Sequence, residues 1–305
     1  MTQVGGGRHE PVPIGEVATP PFVKLPDPAR LFADRAARFA FVARNHALEP
    51  YLSFLAGLCD CQHRILDGLP EPDRPAAAAL ALAREHAMPP LDRHRFKTEP
   101  AFDATLDRLI ALSEAIDMPD AARLALDRLV AAGPATRIAL AQAALADAPD
   151  VESLGEHVFV AAALQVHFTR LAAGLDAAQL VPVGDGACPA CGSPPVASMV
   201  VGWLGAHGTR FGACSLCGTL WNDVRIKCLV CGSHEGIAYQ EVEGAHGLVK
   251  AETCDSCRSY VKILQQHKDP ALDPFADDCA TLAIDLLMRE TGYRRGAVNP
   301  FLLGY

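Results

Sequence analysis

The feature that most constrains this chain is a set of four closely spaced cysteine pairs in its second half. Each pair reads C-x2-C, and the pairs are Cys188 and Cys191, Cys214 and Cys217, Cys228 and Cys231, and Cys254 and Cys257. The first two pairs recur forty positions later as the last two, so each unit reads C-x2-C-x22-C-x2-C. Self-similarity at a fixed period indicates two tandem copies of one small module.

A C-x2-C segment can form a tight turn, a knuckle, that directs both sulfurs toward one metal ion. A glycine after the second cysteine suits the positive φ of such a turn. Gly192, Gly218 and Gly232 occupy this position, and Arg258 replaces glycine in the fourth knuckle. Two knuckles supply four thiolates, the tetrahedral ligand set favoured by zinc or by a single iron. We therefore predict that all eight cysteines are metal ligands and that no other residue is.

The in-register repeat favours two sequential sites, in which the first four cysteines bind one metal and the last four bind another. An interleaved arrangement is the alternative, although a tandem duplication explains it less well. Ligand spacing does not distinguish zinc, which would only hold these small modules together, from iron, which would also permit redox chemistry. Thiol–disulfide exchange at Cys188-Pro-Ala-Cys191 is a third interpretation, which four pairs in two matching modules disfavour.

The composition changes abruptly near residue 181, where an Ala- and Leu-rich helical pattern gives way to short β-like stretches and Gly-rich turns. This predicts an α+β chain, in which an N-terminal all-α helical domain precedes two tandem rubredoxin-like or zinc-ribbon modules and a C-terminal helix. The predicted parts are an extended N-terminal arm at 1–27, a helical domain at 28–180, metal modules at 184–226 and 227–268, and a C-terminal helix and tail at 269–305.

Local patterns predict several element boundaries in more detail. Asp27 before Pro28 is typical of a helix N-cap followed by proline at the first helical position, and Asp103 is a second candidate N-cap. A longer helix is predicted after Asp150, ending near Gly174. Strands are predicted at 196–201, 219–226, 237–242 and 259–264. The C-terminal helix is predicted from residue 269 to about 290, with Phe275, Leu282, Leu286 and Leu287 facing the core.

Charge and composition exclude some classes of function for these 305 residues. The chain carries 27 basic and 36 acidic side chains, a net charge of −9, which disfavours binding to nucleic acid or to an anionic membrane. Residues 185–268 hold seven basic and seven acidic side chains, so the cysteine region also lacks a basic excess. No membrane span or secretory signal is recognisable, so we expect a cytoplasmic protein, in which disulfides are uncommon.

The remaining candidate residues are assigned structural roles. Cys59 and Cys61 lie in a predicted helix and Cys279 in the last one, so all three are expected to pack as small buried side chains. His207 and His246 recur in matching Gly-Ala-His-Gly segments and are expected at turn tips. No phosphate-binding loop, nucleophile elbow or H-E-x-x-H motif is present in the sequence, so we expect that the protein is not an enzyme.

An ordered set of motifs along the chain resembles the FdhE family of formate dehydrogenase accessory proteins. These motifs are Pro20-Pro-Phe-Val-Lys-Leu-Pro-Asp-Pro28, Cys188-Pro-Ala-Cys-Gly-Ser-Pro-Pro195, Cys214-Ser-Leu-Cys-Gly-Thr-Leu-Trp221, Lys250-Ala-Glu-Thr-Cys-Asp-Ser-Cys257 and Asn299-Pro-Phe-Leu302. They span most of the chain, which makes the resemblance far more specific than the C-x2-C pairs alone.

The resemblance implies a cytoplasmic maturation factor, or chaperone, needed for active respiratory formate dehydrogenase. It implies that the enzyme's catalytic subunit is the partner and that the eight cysteines hold iron in a rubredoxin-like manner, with zinc as the alternative metal. Nucleic acid is not an expected partner, and a homo-oligomer is left open. Arg258 departs from the knuckle pattern and bears on the geometry of the second site. The alternatives are a rubredoxin-like iron protein that transfers electrons and, less favoured, a nucleic-acid-binding zinc ribbon.

Overall fold

A computed structural model describes residues 19–244 and 247–302 of the chain, and its first part is helical. Asp27 caps the first helix by accepting a hydrogen bond from Ala29 N at 3.1 Å, with Pro28 at the first position, as predicted. The helices of this part are α1 (Pro28–Val42), α2 (Glu49–Arg64), α3 (Ala77–Glu85), α4 (Pro100–Ser113), α5 (Asp120–Ala131), α6 (Pro134–Leu145) and α7 (Leu154–Ala173).

Helix α7 is the centre of the helical part and is buried on nearly every face. Its apolar residues do not form a single stripe, which is the pattern of a helix surrounded by others, and α1, α2, α4, α5 and α6 all pack against it. Its bounds agree with the predicted long helix, because Gly174 is the C-cap. The prediction that Asp103 is an N-cap is wrong, because α4 already begins at Pro100, where proline's missing N–H costs no hydrogen bond.

The second part of the chain and one short N-terminal strand form a single mixed sheet. Its strands are β1 (Val23–Lys24), β2 (Pro195–Val200), β3 (Arg210–Cys214), β4 (Leu220–Asp223), β5 (Ile237–Gln240), β6 (Val249–Cys254), β7 (Ser259–Leu264) and β8 (Arg294–Arg295). Each cysteine repeat contributes an antiparallel meander, β2-β3-β4 or β5-β6-β7. The meanders join through parallel pairing of β2 with β7, where Ser198 lies opposite Ile263, giving the order β1-β4-β3-β2-β7-β6-β5. The eighth strand, β8, pairs in parallel with β7 outside this order.

The predicted N-terminal arm is only partly within the described residues. Residues 1–18 lie outside them, and the remainder includes β1, which pairs with β4 of the first repeat. Val23 lies opposite Trp221 and is buried. The end of this segment is therefore an edge strand of the sheet that leads directly into α1.

The C-terminal region contains two short helices, α8 (Ala276–Ala280) and α9 (Leu282–Arg289), and not the single helix predicted. The buried Lys262 ammonium group explains the break, because it donates to the backbone oxygens of Asp278 at 2.8 Å and of Thr281 at 3.0 Å. The break also rotates the predicted core face. Leu286 and Leu287 are exposed, whereas Ile284 and Met288 are buried in their place.

The two cysteine modules do not have separate cores. One continuous cluster of buried side chains extends from Phe32 in α1 through α7 and the sheet to Phe275 and Phe301. The α+β class is confirmed: a helical region is followed by a sheet region with both cysteine groups, and C-terminal helices complete the fold. Among the described residues, no helix has the length and apolar character needed to cross a membrane.

Candidate metal centres

The eight cysteines of the repeat form two compact groups. Cys188, Cys191, Cys214 and Cys217 form the first cluster, and Cys228, Cys231, Cys254 and Cys257 form the second cluster. Within each cluster, all four sulfurs lie within 4.8 Å of one another. The grouping is therefore the sequential one expected from the repeat, and not the interleaved alternative. All eight are free thiols, without disulfide bonds.

The spacing of the sulfurs fits a tetrahedral metal ion. In the first cluster the Sγ atoms of Cys191 and Cys214 are 3.4 Å apart, and those of Cys188 and Cys217 are 3.7 Å apart. The corresponding distances in the second cluster are 3.8 Å and 3.7 Å. A metal–sulfur bond of about 2.3 Å in a tetrahedron requires sulfurs about 3.8 Å apart. Each cluster therefore has a donor set and a size suited to zinc or to a single iron.

The first knuckle of each repeat is built by the same backbone hydrogen bonds. Cys188 N donates to Ser193 O at 2.9 Å, and Gly192 N donates to Cys188 O at 2.8 Å. In the second repeat, Cys228 N and Gly232 N make the matching bonds at 2.7 and 3.0 Å. Gly192 and Gly232 have φ values of 76° and 73°, a conformation that favours glycine. The repeated sequence thus produces repeated local geometry.

The second knuckle of each repeat follows the strand that ends in its first cysteine. Cys214 is the last residue of β3, and its sulfur accepts hydrogen bonds from Leu216 N and Cys217 N, both at 3.3 Å. In the second repeat, Cys254 is the last residue of β6. Each strand therefore fixes one of the four sulfurs of its cluster relative to the sheet.

Arg258 keeps the fourth knuckle in the same shape as the other three. Its φ is 55°, in the left-handed region that Gly218 adopts with 73° in the first repeat. The guanidinium group lies 4.2 Å from the centre of the Tyr293 ring and 3.2 Å from Asp255 Oδ1. Arginine in place of glycine at position 258 is therefore compatible with a second cluster in which the four sulfurs lie close to one another.

Burial and mutual hydrogen bonding shift the thiol pKa values within the first cluster. Burial raises the pKa of Cys188 well above its ordinary range. At Cys191 burial acts in the same direction, but hydrogen bonds from the other three cysteines and from Ser193 bring its pKa well below that range. A metal ion would stabilise thiolates at all four positions and release the thiol protons on binding.

The other three cysteines lie in apolar packing. Burial raises the pKa of Cys59 to about 12 and that of Cys61 to about 11, and it raises the pKa of Cys279 well above the ordinary range. Within 19–244 and 247–302, the groups of side chains close enough to hold a metal ion are the two clusters alone. His207 lies near His267, with ring centres 6.0 Å apart, whereas its counterpart His246 lies outside the described residues.

The two clusters differ in their exposure to solvent, a difference that the repeated sequence does not predict. All four cysteines of the first cluster are 0% exposed. In the second cluster Cys231 is exposed and Cys257 is half-buried. The cause is long-range, because hydrogen bonds from α7 and from residues 91 and 93 anchor the knuckles of the first cluster. The burial of the first cluster depends on contacts between segments that are far apart in the sequence. Sequence periodicity does not predict such contacts.

Comparison with known proteins places the whole chain in one family. Three family models match it in succession: "FdhE, N-terminal" over residues 20–185, "FdhE, central domain" over 187–225 and "FdhE, C-terminal domain" over 226–302. The central model spans the first cluster, and the C-terminal model spans the second.

Relatives match over nearly their full length. "Protein FdhE homolog" of Rhizobium meliloti is 47% identical, with 98% of each chain covered. The protein of the same name from Pseudomonas aeruginosa is 37% identical, with 91% of this chain and 92% of that one covered. The crystal structure of the FdhE protein from Pseudomonas aeruginosa superposes with a TM-score of 0.82 at 35% identity, covering 93% of this chain and 99% of that chain. The chain belongs to the FdhE family.

Proposed function

We propose that this protein is an accessory factor needed for active respiratory formate dehydrogenase, which acts in the cytoplasm by binding the enzyme's catalytic subunit. The observation that carries the proposal is family membership along the whole chain, from residue 20 to residue 302. The motifs that carry the family resemblance lie in the segment that leads into α1, in both cysteine modules and at the C-terminus. The proposal assigns no catalytic step to the chain.

The proposal includes metal in both clusters, with iron as the metal and zinc as the alternative. The support is the all-thiolate donor set and the sulfur spacing of 3.4 to 3.8 Å. Four thiolates around iron make a one-electron redox centre, whereas the same ligands around zinc supply structural stability only. In either case, the chain's own contribution is to hold four sulfurs within 4.8 Å of one another, one of them at the end of a strand.

Affinity capture tests whether the formate dehydrogenase catalytic subunit is the partner. The tagged protein is expressed in a strain that makes respiratory formate dehydrogenase, and captured proteins are identified by mass spectrometry. The expected result is the formate dehydrogenase catalytic subunit, together with loss of formate dehydrogenase activity when the accessory gene is deleted. The catalytic subunit of an unrelated respiratory oxidoreductase serves as the control. Failure to capture the formate dehydrogenase subunit, with normal activity in the deletion strain, would rule out the proposal.

Electron transfer by iron is the second candidate function, and the exposure of Cys231 favours it. A metal bound in the second cluster would lie at the protein surface, where a redox partner can approach it. The discriminating result is a ferric-thiolate visible spectrum that bleaches on reduction and returns on reoxidation. A colourless native protein that contains zinc would remove this candidate and would leave the accessory function untouched.

A further inference from the structure

The two clusters are copies of one module in different surroundings, and this difference carries an inference about their chemistry. We infer that the second cluster is an exchangeable metal site, open at Cys231 to an external thiol or chelating ligand, whereas the first cluster is a sealed site. The inference rests on the proposed function only in requiring that both clusters hold metal. It assigns different roles to sites that the sequence presents as equivalent.

The first cluster is enclosed by hydrogen bonds from the helical part of the chain. Leu91 N donates to Ala190 O at 2.9 Å, and Arg93 N donates to Cys191 O at 3.2 Å. From α7, Gln165 Nε2 donates to Ser215 O at 3.1 Å and Thr169 Oγ1 to Cys217 O at 3.2 Å. Both knuckles of the first cluster are therefore anchored to elements outside the module.

Apolar side chains complete this cover. A side-chain carbon added at Gly218 would lie 2.8 Å from Leu31 Cδ2, and one added at Gly192 would lie 3.1 Å from Pro89 Cγ. The space next to each knuckle glycine is thus occupied by the helical part. An apolar, close-packed shell of this kind controls access of solvent and competing ligands to a metal site.

The second cluster has polar, exposed neighbours at the corresponding places. The carboxylate of Asp185 lies against Gly232 and pairs with Lys227 Nζ at 2.7 Å. The hydroxyls of Ser233 and Ser256 meet at 2.8 Å on the exposed surface. Exposed ion pairs contribute little stability, so these side chains can move aside without disturbing the core.

Cys231 is the point at which an external ligand reaches the second cluster. Its partners Cys228 and Cys254 are 4% and 2% exposed, so they stay fixed in the module while Cys231 faces solvent. In the exchange step, the sulfur of an incoming thiol bonds to the metal and the bond between the metal and Cys231 breaks. The thiol proton passes to the departing Cys231 sulfur, so the charge of the metal shell is unchanged and no oxidant or reductant is needed.

The first experiment measures metal loss from the whole protein loaded with zinc at both clusters. The chromogenic chelator 4-(2-pyridylazo)resorcinol is added in excess, and zinc release is followed by absorbance. The expected result is two phases of equal amplitude, with the fast phase at least about tenfold faster because the close-packed shell of the first cluster limits access of the chelator. The Cys231→Ala/Cys257→Ala variant should retain the slow phase alone.

The second experiment assigns the phases to sites in the unmodified protein and does not depend on a variant that folds. The zinc-loaded protein is treated with N-ethylmaleimide for increasing times, and modified peptides are quantified by mass spectrometry. Cys231 and Cys257 should be modified first, and the four cysteines of the first cluster last. Cys59 and Cys279 are the internal controls, because they are buried outside both clusters and should react only when the protein unfolds.

The outcomes separate this inference from the proposed function. Protein that binds no metal at all would overturn both the metal sites and the exchange role. Two bound metals that leave at one common rate, or first-cluster cysteines modified as early as Cys231, would overturn the inference while metal binding stands. Biphasic release with early modification of Cys231 would support it.

Discussion

At the scale of single residues, Arg258 shows how one repeat tolerates a departure from the other. Its left-handed backbone, with φ at 55°, costs a non-glycine residue about 1–2 kcal/mol. The stacking of its guanidinium group on Tyr293 and its ion pair with Asp255 are exposed and offset only part of this cost. The side chain is therefore not needed for the knuckle, whereas the backbone conformation is.

Two substitutions at position 258 should therefore differ in their effect on stability and metal binding. Arg258→Gly should keep metal in both clusters and change the free energy of unfolding by less than about 1 kcal/mol. Arg258→Val should destabilise the knuckle, because a β-branched residue is strongly disfavoured at positive φ. Metal content and urea-induced unfolding measure both effects. Loss of metal from the glycine variant, with retention by the valine variant, would contradict the account.

His157 links stability to pH, because it is buried in α7 and neither ring nitrogen has a hydrogen-bond partner among the residues that the structure describes. Burial lowers its pKa below the ordinary value of 6.5, and the charges of Glu156 and Asp150 oppose this only in part. Below pH 6.5 the unfolded chain therefore takes up a proton that the folded chain does not. Stability should fall as the pH is lowered from 6.5 toward the folded pKa.

The matching experiment compares His157→Leu with His86→Gln, a change at an exposed histidine. Urea-induced unfolding is measured at about pH 7 and about pH 5. The His157 variant should lose less stability between these values than the wild type, and the His86 variant should behave like the wild type. An unchanged pH dependence in the His157 variant would show that this histidine does not contribute.

At the scale of elements, α7 and the first cluster are joined by the hydrogen bond from Thr169 Oγ1 to Cys217 O. Thr169→Val should destabilise the protein by about 1–2 kcal/mol, because it leaves a buried carbonyl without this donor. Thr105→Val is a matched control in α4, since that hydroxyl donates to Ala101 O of its own helix. Its effect, also measured by urea unfolding, should be smaller. Equal losses of stability in the two variants would mean that the hydrogen bond between α7 and the first cluster stabilises the protein no more than one within a helix.

The C-terminal helices are held to the sheet by a buried group of charges. Lys262 of β7 lies 2.6 Å from Asp285 Oδ2 and 3.2 Å from Asp278 Oδ1, and Arg295 contacts both carboxylates. Burial alone would raise the pKa of Asp278, but Lys262 and Arg295 hold it below its ordinary value. Two cations thus balance two carboxylates where β7, β8, α8 and α9 meet.

Removing one of these cations should be far more damaging than removing a surface lysine. Lys262→Met should cost about 3–5 kcal/mol, because it leaves two buried carboxylates with one cation. Lys250→Met, on neighbouring β6, breaks an ion pair with Glu241 in which both side chains are partly exposed and should cost at most about 1 kcal/mol. Thermal unfolding measures both variants. Similar losses in the two would contradict the assignment of Lys262 as the tie between sheet and helices.

These elements also show what local pattern can and cannot predict. The Asp27–Pro28 helix start and the long helix ending at Gly174 were predictable, because capping residues and apolar spacing are local signals. The break between α8 and α9 was not, because it depends on Lys262, which reaches the helix ends from a strand before them in the chain. The inward face of α9 shifted with that break.

At the scale of the whole molecule, the repeat predicts the two clusters but not how the modules are joined. The parallel pairing of β2 with β7 links residues more than sixty positions apart, and no periodicity signals it. Periodicity also does not predict that α7 and residues 89–93 pack over the first cluster. Two modules with the same cysteine spacing consequently become a sealed site and an open site within one continuous core.

The measurement that tests the central claim most directly is the metal-to-protein ratio of the native chain. The protein is purified without added metal or oxygen, and metals are quantified by plasma mass spectrometry beside a visible spectrum. The account predicts two metal atoms per chain, with a ferric-thiolate absorption after oxidation, and about one metal atom in the Cys231→Ala/Cys257→Ala variant. A folded protein with no metal and eight freely titratable thiols would contradict it.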